Sequence, residues 1–150
     1  MSAVWNDEDS YVAPRAAQFD EFESSIAARL GLGAAIDQVS EAGIGVVFER
    51  VQELANRLRA ELAALPRVQV AQRSAQRCGI VTFNVDGSDP SDIVVAPRAV
   101  AVNLNASKPT WSRLDADVAG SAGVVRASPP VYNTGNEIDR LLAVLRASAT

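Results

Sequence analysis

The strongest pattern in this sequence is a long amphipathic helix, predicted between about Val46 and Leu65. Apolar residues recur along it at intervals of three and four, which is typical of one buried helix face: Val47, Val51, Leu54, Leu58, Leu62 and Leu65. Pro66 cannot continue the helix and ends it. The other face is predicted to be solvent-exposed because it carries a run of charges: Glu49, Arg50, Glu53, Arg57, Arg59 and Glu61.

A second helix is predicted upstream, from Phe19 to Glu41, and Gly43 and Gly45 separate it from the long one. Its apolar residues again follow helical spacing: Phe22, Ile26, Leu30, Leu32, Ile36 and Val39. Gly31 and Gly33 within this helix would allow another backbone to pack closely. Residues 1–18 show no periodicity and are predicted to form a flexible N-terminal arm, so that 19–150 form the domain.

Short strands are predicted after the helices. Val68–Ala71 is the first, and alternation of Val81, Phe83 and Val85 with more polar residues indicates the second. Asp86-Gly87 predicts a turn, and Asp89-Pro90 has the residues of a helix start.

The last third of the chain is predicted to add two strands and a helix. Ala99–Leu104 follows Pro97 and is interpreted as a strand, Asn105–Ala119 as a loop and Val124–Ala127 as a short buried strand. Thr134 and Glu137 have capping-box spacing and begin a helix that buries Ile138, Leu141, Leu142 and Leu145. The sequence therefore predicts an α+β fold, with a helix pair and a C-terminal helix packed on a small, mainly antiparallel sheet.

Composition excludes several kinds of chemistry. The chain has no histidine, one lysine (Lys108) and one cysteine (Cys78), which excludes Ser-His and Cys-His nucleophile pairs and the usual zinc sites. No metal site is expected from Asp86, Asp89 and Asp92, because a turn and a helix cap account for two of them. We expect Cys78 to be a small buried hydrophobe at the start of a strand, and Lys108 to be exposed and protonated.

Charge and hydropathy narrow the choice of partners. The net charge of −4 is spread over the chain, so neither nucleic acid nor an anionic membrane is an expected partner. The apolar stretches are too short to cross a bilayer, and the acidic, polar N-terminus differs from a signal peptide. A cytoplasmic location is therefore expected.

Motifs in the second half of the chain resemble the closing part of class V aminotransferases, which are fold type I pyridoxal-phosphate (PLP) enzymes. In order, the similar segments are Cys78-Gly-Ile-Val-Thr-Phe-Asn-Val-Asp-Gly87, Val125-Arg-Ala-Ser128, Tyr132-Asn-Thr134 and Glu137-Ile-Asp-Arg-Leu-Leu142. The upstream helix pair is also similar, so the resemblance covers Phe19 to Leu145. Within the family, these motifs are most similar to those of isopenicillin-N epimerase and the ergothioneine-pathway sulfoxide lyase. The selenocysteine lyases and cysteine desulfurases are more distantly similar.

The resemblance implies that this chain corresponds to the C-terminal small domain. In such enzymes the large domain supplies the Schiff-base lysine and the other PLP-binding groups, so no PLP is expected on this chain alone. The resemblance gives Arg126 the role of binding the substrate carboxylate, which suits a planar guanidinium. Asn105 and Ser107 correspond to a substrate loop from which this sequence departs. Desulfurases carry a cysteine on the loop before the Arg-Ala-Ser strand, and Asn105–Ala119 contains none.

Two interpretations of function remain open from the sequence. In the first, the chain acts with a separate large-domain subunit that carries PLP, or as a homo-oligomer, on an amino-acid-like substrate. That arrangement predicts an exposed apolar patch on Phe19 to Val39 and near Arg126. In the second, the chain is a non-catalytic remnant or interaction module, and Arg126 forms a structural ion pair with an acid such as Asp115 or Asp117. A fragment of a longer enzyme is a further alternative.

Overall fold

Local sequence signals define the first helix, α1, which spans Ile26–Ala42 in a computed structural model. Ser25 caps its N-terminus, because the Ser25 hydroxyl accepts a hydrogen bond from the Ala28 N–H at 3.2 Å. Gly43 ends it with a φ of 85°, a conformation that favours glycine. The structure describes residues 3–5, 10–12, 24–71, 75, 77–111 and 123–148.

The chain divides into two units, Met1–Ile44 and Gly45–Thr150. In the first unit, strands β1 (Ala3–Trp5) and β2 (Ser10–Val12) pair antiparallel within the segment predicted as an arm. The start predicted for the first helix, residues 19–23, lies outside the described residues. None of the described residues from 24 to 44 is buried.

The long helix, α2, spans Ile44–Ala63, close to its predicted bounds. Leu54, Leu58 and Leu62 are buried as predicted. Arg59 is buried too, with an exposed fraction of 4%, so its predicted place on the solvated face is wrong.

An antiparallel sheet lies in the second unit, with strand order β3-β4-β6-β5. The strands are β3 (Val68–Val70), β4 (Val81–Val85), β5 (Asn105–Ser107) and β6 (Val124–Ala127). Buried side chains from β4 and β6 form a hydrophobic core with those of α2 and the last helix, α4 (Gly135–Ser148): Val81, Phe83, Val125, Ala127, Ile138, Leu141, Leu142 and Leu145. The α+β fold predicted from the sequence is therefore confirmed.

The segment between β4 and β5 differs from its prediction. A short helix, α3 (Pro90–Ile93), begins as expected, since the Asp89 carboxylate accepts from the Ser91 N–H at 2.7 Å. The predicted strand Ala99–Leu104 is wrong: a 3-10 helix covers Ala96–Val100, and Ala101 follows in the left-handed region with a φ of 57°. The strand lies instead at β5, within the predicted loop.

Within the described residues, no single helix is long and apolar enough to cross a membrane. Only α1 and α2 taken as an interrupted pair meet the criteria of length and composition, which is weak evidence of a span.

Candidate carboxylate-binding site

Strand pairing brings the predicted site residue Arg126 between two polar residues on neighbouring strands. Thr82 of β4 lies opposite Arg126 on one side, and Asn105 of β5 lies opposite it on the other. Directly opposed residues in an antiparallel pair project from the same face, with Cβ atoms about 4.5–5.5 Å apart. The three residues therefore form a row across the sheet, which we call the Arg126 row.

The Arg126 row lies on the sheet face opposite the hydrophobic core. Arg126 is exposed, whereas its sequence neighbours Val125 and Ala127 are buried. Side chains alternate between the two faces of a strand, so burial of the neighbours fixes Arg126 on the outer face. The burial pattern of β6 therefore places the guanidinium on the side of the sheet away from the core helices.

The Arg126 guanidinium makes no hydrogen bond or ion pair with the described part of the chain. Asp115 and Asp117, which the sequence offered as structural partners, lie outside the described residues. A guanidinium has five N–H donors in a fixed fork that matches a carboxylate. The N–H groups of Arg126 are therefore able to donate hydrogen bonds to an anionic ligand.

Further polar groups flank the Arg126 row on the same sheet face. Ser107 is two residues from Asn105 on β5, and its hydroxyl is 3.5 Å from the Asn105 amide oxygen. The predicted substrate residues Asn105 and Ser107 are therefore adjacent to each other, and Asn105 is also adjacent to Arg126. Asn84, two residues beyond Thr82, can donate to the backbone oxygens of Gly123 and Phe83 once its amide oxygen and nitrogen are exchanged.

The chemical character of this face is that of a binding surface. Its described strand side chains are one cation, several amides and hydroxyls, and one valine: Gln69, Thr82, Asn84, Asn105, Ser107, Val124 and Arg126. Neither a carboxylate nor a thiol is among these strand side chains, and a carboxylate at the edge of the set, that of Asp86, accepts a hydrogen bond from Gln69 at 2.8 Å. The strand side chains can bind and orient an anion but carry no group for proton transfer at neutral pH.

A buried arginine, which sequence analysis missed, supports the strand that carries Thr82. Arg59 of α2 donates hydrogen bonds to the backbone oxygens of Cys78 and Ile80, the latter at 3.1 Å, just before β4. It also donates to the Asn56 amide oxygen at 3.0 Å. Burial lowers the pKa of Arg59, and the nearby charge of Arg77 adds to this. Arg59 is four residues after Ala55, which is buried, and this helical spacing indicates that Arg59 lies on the same buried face.

The two residues with nucleophilic side chains lie apart from this face. Cys78 is an exposed free cysteine that precedes β4, so its predicted burial and strand position are wrong. The backbone there is held by Arg59, which leaves the thiol on the surface. Lys108 is exposed after β5, where we expected it.

The described residues do not fit a PLP site. Lys108 is the sole lysine of the sequence, and its exposure gives it no enclosed surface on which a PLP ring could rest. Across the described ranges, there is also no group of three or more His, Cys, Asp or Glu side chains that could hold a metal ion.

A shallow hollow with a cavity volume of about 70 Å³ lies beyond the end of β6. Its lining is largely apolar and includes Leu58, Leu104 and Leu141, while Glu137 at its edge is a helix cap. The Glu137 carboxylate accepts from the Thr134 N–H at 2.6 Å and from the Thr134 hydroxyl at 2.5 Å. The hydrogen bond from the Thr134 hydroxyl lowers the pKa of Glu137 most, and the bond from the Thr134 N–H lowers it further. The two bonds confirm the predicted capping box.

A family model and a curated relative both match most of the chain. The family model described as "Aminotransferase class-V" matches residues 11–141. A probable cysteine desulfurase from Methanothermobacter thermautotrophicus is 29% identical over 140 residues, which cover 89% of this chain and 34% of that protein. This chain therefore spans about a third of that relative's length.

Solved structures show the same fold. The apo cysteine desulfurase of Thermococcus onnurineus NA1 has a TM-score of 0.79 and 22% identity, over 98% of this chain and 37% of that one. A C-DES mutant with glycine covalently linked to its PLP cofactor has a TM-score of 0.67 and 22% identity, over 97% of this chain and 36% of that one. The Methanothermobacter relative and the Thermococcus structure are named cysteine desulfurases, whereas the sequence motifs indicate a greater similarity to the epimerase and sulfoxide lyase group.

Proposed function

The chain belongs to the class V aminotransferase family, and from that premise we propose that it provides the substrate-binding small domain of a PLP-dependent enzyme. Arg126 binds the α-carboxylate of an amino-acid-like substrate, and a separate large-domain subunit holds PLP. The observation that carries this proposal is the Arg126 row, in which an exposed guanidinium lies between Thr82 and Asn105.

The Arg126 row has the donors that recognition of an α-carboxylate requires. Two parallel hydrogen bonds from the guanidinium would bind both carboxylate oxygens, and the Asn105 amide can add a third donor. A charge-assisted bond of this kind contributes about 1.5–3 kcal/mol. Arg126 therefore orients the substrate, and the remaining chemistry comes from groups outside this chain.

The large-domain subunit is part of the proposal because PLP chemistry requires groups that hold the cofactor. PLP supplies an electron sink for reactions at the α-carbon of amino acids when a protein holds and orients it. The chain has no histidine, and its one lysine is exposed. This chain corresponds to about a third of the length of a cysteine desulfurase relative.

The reaction class that we propose is lyase or transaminase chemistry on an amino acid. Relatives bear the name cysteine desulfurase, but Asn105–Ala119 contains no cysteine to attack substrate sulfur. Cys78, the sole thiol, precedes β4 and is not a member of the Arg126 row. Desulfuration by a thiolate of this chain is therefore disfavoured, while a thiol from the partner would restore it.

The test is to isolate the chain gently from its native cells and to identify co-purifying polypeptides by mass spectrometry. The same sample is examined for the visible absorbance of protein-bound PLP. We expect a stoichiometric partner of the same family together with that absorbance. A lone, colourless chain would contradict the proposal and would favour a non-catalytic remnant.

A further inference from the structure

Gly123, the residue just before β6, is enclosed at the point where β6 enters the sheet. It is buried, and its φ of 136° lies in the region that favours glycine. A Cβ atom added there would lie 2.8 Å from the backbone oxygen of Ser107, and 3.7 and 3.8 Å from side-chain atoms of Pro109 and Pro90. Cβ atoms do not approach a backbone oxygen so closely. A larger residue would therefore fit this place only if β5 moved.

Gly123 is also held from the strand on the other side of β6. Once its amide oxygen and nitrogen are exchanged, the Asn84 side chain donates to the Gly123 backbone oxygen at 3.1 Å. Asn84 belongs to β4 and Ser107 to β5, the two strands that flank β6. Both neighbours of β6 therefore lie against one residue, three positions before Arg126. This arrangement of Asn84, Gly123 and Ser107 is called the Gly123 clamp below.

The alternation of buried and exposed residues does not by itself fix the place of Arg126 along β5. A slide of β6 by one residue would turn Arg126 toward the core, which burial of Val125 and Ala127 opposes. A slide by two residues would keep Arg126 on the outer face but move it past Asn105. Since β5 has three residues and β6 has four, their ladder has few hydrogen bonds to oppose that slide.

The Gly123 clamp opposes a slide by two residues. Such a slide would bring Ser121 or Val125, depending on its direction, to the place that Gly123 occupies. Each of these residues has a Cβ atom, for which the backbone oxygen of β5 leaves no room. The observed register of the Arg126 row is the one that puts a glycine there.

We infer that Gly123 and Asn84 are positioning residues, which hold Arg126 opposite Asn105 so that the two can bind one carboxylate. The carboxylate part of this inference rests on the proposed function, whereas the positioning part rests on the Gly123 clamp. Both residues act through the register of β6. That register sets how the guanidinium and the Asn105 amide converge on a ligand, so disturbing it should weaken carboxylate binding.

The test is NMR spectroscopy of the full chain, with acetate as the carboxylate probe. Gly123→Ala adds the Cβ atom that the Gly123 clamp excludes, and Gly87→Ala is the matched control. Gly87 also has a positive φ, of 76°, but a Cβ atom added there would meet only the end of the Arg67 side chain, at 3.5 Å. Both variants therefore strain the backbone, and only Gly123→Ala obstructs β6.

We expect Gly123→Ala to lose the backbone nuclear Overhauser effects (NOEs) between Arg126 and Asn105 while it keeps those between β3 and β4. Its acetate affinity, measured from the Arg126 signals, should fall about 3- to 10-fold, which corresponds to loss of one neutral hydrogen bond. Gly87→Ala should keep the NOEs and the wild-type affinity. If Gly123→Ala does not fold, Asn84→Ala removes the hydrogen bond of the clamp without adding an atom and should weaken the same NOEs and the acetate affinity.

The inference is overturned if Gly123→Ala folds but keeps the wild-type NOEs or the wild-type acetate affinity, or if Gly87→Ala lowers the affinity equally. Where Gly123→Ala does not fold, unchanged NOEs and affinity in Asn84→Ala overturn it. Failure of the proposed function gives a different result. Acetate then leaves the Arg126 signals of the wild-type chain unshifted while Gly123→Ala still loses its NOEs, so that the positioning part stands and the carboxylate-binding role fails.

Discussion

Asn105 lies directly opposite Arg126 across the β5–β6 ladder, so an uncharged amide accompanies the guanidinium on the outer face of the sheet. The pairing joins a residue near the start of a three-residue strand to one 21 positions later in the chain. It unites two residues that were chosen separately from the sequence.

Asn105→Ala should weaken substrate binding without loss of turnover at saturation. A neutral hydrogen bond contributes about 0.5–1.5 kcal/mol, so we expect KM to rise about 3- to 10-fold while kcat stays near wild type. Steady-state kinetics of the complex with its large-domain subunit would measure this. Gln69→Ala, on the outermost strand of the same face, is the control and should leave KM unchanged. An unaltered KM in Asn105→Ala would exclude the amide from the site.

Arg59→Met should destabilise the fold, because it removes the hydrogen bonds that a buried guanidinium donates to the backbone oxygens of Cys78 and Ile80. The expected loss in the free energy of unfolding is about 1–3 kcal/mol, measured by urea denaturation. Arg57→Met removes a half-exposed arginine paired with Glu61 and Asp139 and should cost clearly less. Equal losses for the two variants would show that burial of Arg59 is not what matters.

Phe83 and Phe48 offer a matched test of where the core lies. Phe83 on β4 is fully buried, whereas Phe48 on α2 is 62% exposed. Phe83→Ala should lower the free energy of unfolding by about 3–5 kcal/mol. Phe48→Ala should change it by less than about 0.5 kcal/mol. A reversed order in chemical denaturation would mean that the described core is wrong.

Glu137 should contribute to the loss of stability in acid. Its folded-state pKa is lowered by hydrogen bonds from the Thr134 hydroxyl and N–H, so its contribution is complete above the ordinary glutamate pKa of about 4.3. That contribution is lost as the pH falls through the lower folded-state value. Glu137→Gln should therefore show a smaller drop in Tm between neutral pH and about pH 3. Glu49→Gln, on exposed α2 surface, is the control, and an unchanged acid slope in Glu137→Gln would contradict the cap.

Elements with local signals were predictable from the sequence. Thr134 and Glu137 specify the start of α4 through bonds between residues three apart, and Asp89 specifies α3 in the same local way. Prediction failed after Pro97, where apolar composition suggested a strand. A 3-10 turn that ends in left-handed Ala101 is favoured there instead, with Pro97 buried.

The site was predictable in its residues but not in its arrangement. Arg126 and Asn105 were identified by resemblance, while their pairing depends on strand register, which is a long-range property. Burial of Arg59 likewise depends on carbonyl groups about 20 positions away. For α1, helical spacing predicted the helix, but what covers its apolar residues cannot be deduced from spacing.

The central claim is that Arg126 binds the substrate carboxylate, and it is tested by the kcat/KM of Arg126→Ala in the complex with its PLP-carrying partner. Loss of a charge-assisted pair predicts a decrease of about 10- to 100-fold or more, with the PLP absorbance unchanged. Arg98→Ala, an exposed arginine of the 3-10 helix, is the matched control. An Arg126→Ala complex with wild-type kcat/KM would contradict the account.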